Sequence, residues 1–239
     1  MPLKLCANRR LPEDIDRSMD HYFHSRADLP HEYKQIRFAL LGYEFSLLTD
    51  SGTFCRDRLD YGTELMLKAL GTYLKNKNDL LPLLQTRGVD VCKVLDLGCG
   101  NGVVSLVLSQ ILQQSQNEDT PNWELFASDI NERAVQLAKN NLRNLNLPHQ
   151  VLAVDGVPHE YAPYHLIATN PPFRAGKATV NRLLKESYEA LALDGELWVV
   201  VQNKQGAKSL QQYLKNLAGE CVVIDKSAGY RVLQVIKSE

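Results

Sequence analysis

The apolar run Val94 to Leu97 leads directly into Gly98, Gly100 and Gly102, and a helical apolar pattern opens at Val103 without an intervening loop. A strand, a glycine turn and a helix in immediate succession mark the start of a βαβ unit, and so a parallel sheet. Glycines at such a turn let the backbone approach a ligand closely. The helix behind them offers unpaired N–H groups and a positive dipole end, which suits a carboxylate or a phosphate. The spacing disfavours a dinucleotide, because G-x-G-x-x-G needs its third glycine where Val103 stands.

The same alternation continues down the chain. Strand and helix patterns follow one another at Val91–Leu97, Val103–Leu112, Trp123–Ser128, Glu132–Leu142, Gln150–Val154, Leu166–Thr169, Val180–Leu191, Glu196–Gln202 and Ala207–Leu217. That order predicts an α/β fold with helices on both faces of a mostly parallel sheet. Two closing strands, Val222–Ile224 and Tyr230–Ile236, are separated only by the turn-like Lys226-Ser227-Ala228-Gly229. A connection that short makes them antiparallel, since a parallel pair needs a crossover. Ahead of the glycine loop, Lys34 to Asp50 gives two β-prone runs about Gly42, a predicted hairpin, and Thr63 to Leu74 has near-helical spacing before a polar loop. Residues 1 to about 30, broken by Pro2, Pro12 and Pro30, read as an N-terminal arm. The expected division is an arm and hairpin over residues 1–50 and one α/β domain over 51–239.

A chain of 239 residues with 44% hydrophobic content is long enough for one sizeable core. Its five cysteines are scattered and form no C-x-x-C pair, which points away from a disulfide framework or a metal site and toward a reducing cytoplasm. No apolar run approaches the roughly 18 residues of a membrane span. The net charge of −1 exerts no global pull on nucleic acid, so any such contact must be local. One local excess exists, from Asn170 to Lys185, with Arg174, Lys177, Arg182 and Lys185 and no carboxylate.

Three acids stand at strand ends. Asp96, two residues before Gly98, is placed to hold the amino-acid end of a zwitterionic ligand. Asp129 closes the next strand, where an acid accepts ribose hydroxyls, and Asn131 two residues on reads as the helix N-cap. Asp155 closes the strand after that and reads either as an acceptor for an adenine amino group or as a plain turn residue beside Gly156.

Tyr164 to Phe173 reads as a buried strand ending in Asn170-Pro171-Pro172-Phe173. An exocyclic amine conjugated to a ring is a poor nucleophile. A catalyst for it should accept its two protons and aim its lone pair, and the Asn170 side-chain oxygen and Pro171 carbonyl are suitable acceptors on a backbone stiffened by Pro172. Phe173 is placed to stack on a flat substrate.

Taken together, VLDLGCGNG, ASDIN, NPPF and the closing strand pair resemble class I methyltransferases dependent on S-adenosylmethionine (SAM), from about Asp50 to the C-terminus. Phe54-Cys55-Arg56 with Leu59-Asp60-Tyr61-Gly62-Thr63, NPPF with RAGK after it, and GELWVVVQNKQGA are more narrowly similar to single-domain members of the small-subunit (16S) ribosomal RNA guanine-N2 methyltransferase family. Cys55 and His165 depart from that pattern, where serine and aspartate are usual. The resemblance implies a Rossmann-like seven-stranded sheet with an antiparallel last strand, SAM as cofactor, and ribosomal RNA or the small ribosomal subunit as partner. It maps Thr63, Asp96, Gly98, Gly100, Asp129 and Asp155 to SAM and Asn170 to Phe173 to the target amine, with Arg56, Arg58, Arg174, Lys177 and Lys204 rimming the strand ends. Two other readings remain open at this point: a protein glutamine N-methyltransferase using the same loop, and a non-catalytic SAM- or RNA-binding module.

Overall fold

The computed structural model describes residues 31–51, 57–76, 89–115 and 122–238. The arm over residues 1–30, the Phe54-Cys55-Arg56 segment and most of the polar loop after residue 74 lie outside them. The hairpin forms as read, from β1 (Lys34–Leu40) and β2 (Tyr43–Thr49). Its two-residue turn places Leu41 and Gly42 at φ 55° and 86°, the double left-handed conformation that matches strand twist. Helix α1 (Tyr61–Asn76) follows, then β3 (Val91–Leu97), α2 (Val103–Ser115), β4 (Asn122–Asp129), α3 (Glu132–Leu142) and β5 (His149–Ala153). The remainder is β6 (Tyr164–Thr169), α4 (Lys177–Glu189), β7 (Leu191–Gln202), α5 (Ala207–Ala218), β8 (Val222–Ser227) and β9 (Tyr230–Ile236).

The seven strands β3 to β9 form one sheet in the order β5-β4-β3-β6-β7-β9-β8, and β9 alone runs against its neighbours. This is the Rossmann-like sheet with an antiparallel last strand that the family resemblance implies. Several boundaries differ by one to five residues, and three of them have a clear physical cause. Leu191 belongs to β7, not to the preceding helix, because its apolar side chain fits either pattern and the Ala190 carbonyl pairs with the Tyr164 N–H at 2.9 Å as the strand begins. The closing turn shrinks to Ala228-Gly229, with φ 47° and 81°, so that Ser227 pairs with Tyr230. Helix α1 starts at Tyr61, two residues earlier than the spacing indicates, because Asp60 caps it.

Alternate strand residues serve the two faces. Cys92, Val94, Leu125, Ala168, Trp198 and Val200 pack on one face against α1 and α2, and the inner side of the hairpin (Ile36, Leu40, Phe45, Leu47) joins the same core. Leu95, Leu97, Phe126, Ile167, Leu197 and Val199 pack on the other against α4 and α5. Among the described residues no helix is long and apolar enough to cross a membrane.

Candidate active site

The chain winds outward from β3 through β4 to β5, then returns to lay β6 on the other side of β3. A crevice opens beyond the carboxyl ends of strands at such a reversal, and ligands of open α/β sheets bind there. Here the two loops singled out in the sequence meet. Leu97 and Thr169 are partners across β3 and β6, so Gly98 and Asn170 are the next residues on adjacent strands. The Thr169 hydroxyl also donates to the Leu97 carbonyl at 2.8 Å, tying one strand end to the other.

The glycine loop has the conformation its sequence demands. Gly98, Gly100 and Gly102 lie at φ 72°, 54° and 81°, a region costly for other residues. The N–H groups of Gly98 and Cys99 both donate to the Ser128 carbonyl, at 2.8 and 2.9 Å. A Cβ on Gly102 would lie 3.2 Å from that of Ala138, so this glycine lets α3 approach; a Cβ on Gly98 would meet nothing within 4 Å. The loop is therefore packed behind and open in front, with room for a ligand against Gly98.

Two of the three predicted cofactor acids stand beside this loop. Asp96 is buried on the α2 side of β3, where its Oδ2 accepts from the Ser105 N–H at 2.9 Å and hydroxyl at 2.7 Å. Burial pushes its carboxyl up to about 7, against the opposing pull of the Ser105 bonds and with a further rise from Asp129. Asp129 at the end of β4 accepts from Gly100 N–H at 2.9 Å through Oδ2 and from Asn131 N–H at 2.8 Å through Oδ1. Burial raises its pKa too, with those two N–H groups drawing it back. Asn131 caps α3 as read, accepting from the N–H groups of Arg133 and Ala134. Asp155 stands apart: its side chain is 58% exposed and pairs with Arg182 of α4 at 2.7 Å.

Across the crevice, the Asn170 amide nitrogen donates to Thr63 Oγ1 at 3.0 Å and to Asp60 Oδ2 at 3.3 Å. Thr63 is buried in the first turn of α1, and its N–H and hydroxyl also reach Asp60 Oδ2, at 3.0 and 3.3 Å. The amide nitrogen of Asn170 is thus engaged at the start of α1, which leaves Oδ1 as its remaining group. The Pro171 carbonyl accepts the Phe173 N–H at 2.8 Å and retains a second lone pair. Pro171 is buried and Pro172 half-buried. The half-buried Phe173 opens a short 3-10 turn, with part of its ring against the core beneath α4.

Asp60 was not among the residues singled out for the site. Its only local signal is the N-cap position of Asp60-Tyr61-Gly62-Thr63, and its link to Asn170 spans 110 residues.

Around the strand ends, Arg58, Arg174, Lys177 and Lys204 are exposed, and among the described residues none of them has a carboxylate partner. Arg182 and Lys185, from the same basic run, are instead paired with Asp155, Glu186 and Glu189. Arg56 lies outside the described residues. The rings of Tyr61 and Tyr230 lie 5.6 Å apart between centroids at the same end of the sheet, with Tyr61 43% exposed.

The methyltransferase small domain family model matches residues 44–234. YbxB of Bacillus subtilis, an uncharacterised protein, is 30% identical over 91% of this chain and 98% of its own length. The ribosomal RNA small subunit methyltransferase C of Vibrio cholerae is 28% identical over 91% of this chain and 57% of its own. Among solved structures, the T. thermophilus 16S rRNA N2 methyltransferase in complex with AdoMet and guanosine shares the fold at a TM-score of 0.68, with 24% identity over 87% of this chain and 52% of that one. The chain thus spans little more than half of either ribosomal RNA methyltransferase and nearly all of YbxB.

Proposed function

The chain belongs to the methyltransferase small domain family, with SAM as its cofactor, and from that premise we propose that it methylates the exocyclic N2 amine of a guanine in 16S ribosomal RNA. The observation that carries this reading is the Asn170 amide, one residue beyond the Leu97–Thr169 pair, with its nitrogen engaged by α1 and its oxygen left to accept. That is the polarity an amine substrate needs.

The open front of the glycine loop fits the cofactor, and in this reading Asp96, Gly98, Gly100, Asp129, Asp155 and Thr63 hold it. When bound, SAM supplies an electrophilic methyl group on a sulfonium. Asp96 Oδ1, free of the Ser105 bonds, would face the ammonium of the amino-acid end. Asp129 would accept from the ribose hydroxyls through lone pairs left over from its two backbone bonds. For Asp155 to reach an adenine amine, its exposed pairing with Arg182 must loosen, and exposed pairs of this kind are weak.

On the other side, Asn170 Oδ1 and the Pro171 carbonyl accept the two N2 hydrogens and turn the nitrogen lone pair toward the methyl. The exposed part of the Phe173 ring stacks on the base. The N2 lone pair would take the methyl as its bond to sulfur breaks and the electron pair stays on sulfur as a neutral thioether; one N2 proton then leaves to water, and no covalent bond to the protein forms. Positioning supplies most of the rate.

Small-subunit RNA in the cytoplasm is the partner in this reading. The exposed Arg58, Arg174, Lys177 and Lys204 meet its phosphates, and the Tyr61–Tyr230 pair adds aromatic surface for unstacked bases. Residues 51–239 constitute the methyltransferase domain, and the hairpin within residues 1–50 extends it.

The test is transfer of tritium from labelled SAM into ribosomal RNA of a strain lacking the gene, followed by mass mapping of the product nucleoside. N2-methylguanosine is expected. Asn170→Ala should lower kcat by about 100- to 1,000-fold, in line with removal of one preorganised acceptor or donor at a reacting centre, with SAM binding kept. Label in protein and none in RNA would refute the reading.

A further inference from the structure

We propose that Asp60 is a positioning residue for the methyl-accepting amine, acting on it through the side chain of Asn170. The proposal rests on the reading of Asn170 given above. An amide can lie in its site in two orientations differing by a flip of oxygen and nitrogen. Here the flipped form would set the Asn170 oxygen against the Asp60 carboxylate, 3.3 Å from where the nitrogen now sits, acceptor facing acceptor. The Thr63 hydroxyl closes the arrangement, since its hydrogen goes to Asp60 Oδ2 and its oxygen receives the Asn170 amide at 3.0 Å. One carboxylate oxygen thus collects the Thr63 N–H, the Thr63 hydroxyl and the Asn170 amide. It selects the single orientation in which Oδ1 is offered outward.

A second effect follows from charge. A carboxylate behind the amide nitrogen draws the amide's electron density toward Oδ1, away from itself. The amine gains positive charge as its lone pair attacks, so a more negative Oδ1 stabilises the transition state more than the ground state. Such an interaction raises kcat and leaves KM nearly unchanged.

A purely structural account is available and has different consequences. Asp60 also caps α1: its side chain accepts the Thr63 N–H and its carbonyl the Glu64 N–H, at 3.0 and 2.9 Å. Asparagine and serine are about as good as aspartate at an N-cap. Asp60→Asn and Asp60→Ser therefore keep the cap and remove the charge, each by a different group.

If Asp60 acts through Asn170, both variants lose about 10- to 100-fold in kcat on 16S ribosomal RNA. KM for RNA, the SAM Kd by calorimetry and the melting temperature stay close to wild type. The side-chain amide proton signals of Asn170, shifted by bonding to a carboxylate in the wild type, should move in ¹⁵N spectra of both variants without added SAM or RNA. A wild-type kcat in Asp60→Asn and Asp60→Ser, alongside loss of activity in Asn170→Ala, would overturn the proposal while leaving the proposed function standing. A wild-type protein that transfers no methyl to ribosomal RNA would instead remove both. If one variant melts early, the other supplies the kcat comparison.

Discussion

Asp96→Asn should stabilise the free protein at alkaline pH while removing its hold on SAM, and the two effects come from one carboxylate. Burial holds this carboxyl near 7 in the native protein against 3.8 ordinarily. Between those values the unfolded chain has given up the proton and the native chain has kept it. Stability therefore falls as pH rises through that window, and above pH 7 the native state bears the whole cost of a buried charge. At about 1.4 kcal/mol per pH decade that cost is on the order of 4 kcal/mol. Asparagine keeps an oxygen for Ser105 but buries an amine of its own, so we expect roughly half to be recovered, about 2 kcal/mol. For a chain of this size that raises the melting temperature by about 4–8 °C at pH 8, whereas at pH 5 the wild type has regained about 2.7 kcal/mol and the variant should melt slightly below it. SAM binding should respond in the opposite sense. About nine-tenths of Asp96 is ionised at pH 8 and about one-tenth at pH 6, so the ratio of wild-type to variant affinity should drop about tenfold over that interval. Taking the ratio cancels titration of the ligand. Calorimetry and thermal melts on both proteins at pH 5, 6, 7 and 8 would check this. An Asp96→Asn protein that binds SAM like the wild type, or melts below it at pH 8, would refute the reasoning.

Asp50 should behave in the reverse way: burial alone would raise its carboxyl, but Arg133, His31 and the Glu32 N–H together hold it well below the ordinary 3.8. Its contribution to stability is then complete above 3.8 and is lost as pH falls below it, so Asp50→Ala should cost about 3 kcal/mol in urea unfolding at pH 7 and distinctly less at pH 3. Arg174→Ala with Lys177→Ala should weaken RNA binding regardless of sequence and reduce the slope of log K against log salt by about 1.4, the value for two phosphate contacts on a single strand. An unchanged slope would place RNA elsewhere on the surface.

The fold was legible because its signals are local. Gly98, Gly100 and Gly102 must adopt left-handed φ values to turn a strand into a helix, and the alternating strand and helix patterns leave little besides a parallel sheet. The strand order was not legible, since nothing in the β6 sequence says on which side of β3 it will lie; the family resemblance implied only seven strands with an antiparallel last one. The same distinction divides the site. Asp96, Asp129 and Asn170 stand next to strand ends and were found there, whereas Asp60 reaches Asn170 only through tertiary packing of α1. Asp155 and Phe173 were assigned by position alone. Position could not reveal that α4 brings Arg182 to the first, or that the second has part of its ring in the core.

The hairpin read as an extension is also a support of the cofactor side. Asn141 of α3 donates to the Leu48 carbonyl at 2.9 Å and accepts the Leu48 N–H at 2.8 Å, and its amide also reaches the Asn101 carbonyl within the glycine loop at 2.8 Å. One side chain therefore joins β2, α3 and the turn that faces the ligand. A few residues on, buried Asp50 receives Arg133 at 2.7 Å, from the first turn of the helix capped by Asn131. Asn131 in turn donates its own N–H to Asp129. The chain of contacts runs Asp50, Arg133, Asn131, Asp129, Gly100, so the strand that leads toward α1 is anchored to the same acid that faces the glycine loop. Across from it, Asp60 at the N-cap of α1 and Thr63 in its first turn engage the Asn170 amide. A sheet whose strand ends are already tied by Thr169 and Leu97 is thus braced by β2 and α3 behind the glycine loop and by the start of α1 behind Asn170. Preorganisation of a methyl donor against an amine requires both sides to be held at once. Loosening the hairpin should accordingly affect SAM binding and catalysis together, even though no residue of β1 or β2 needs to touch either ligand.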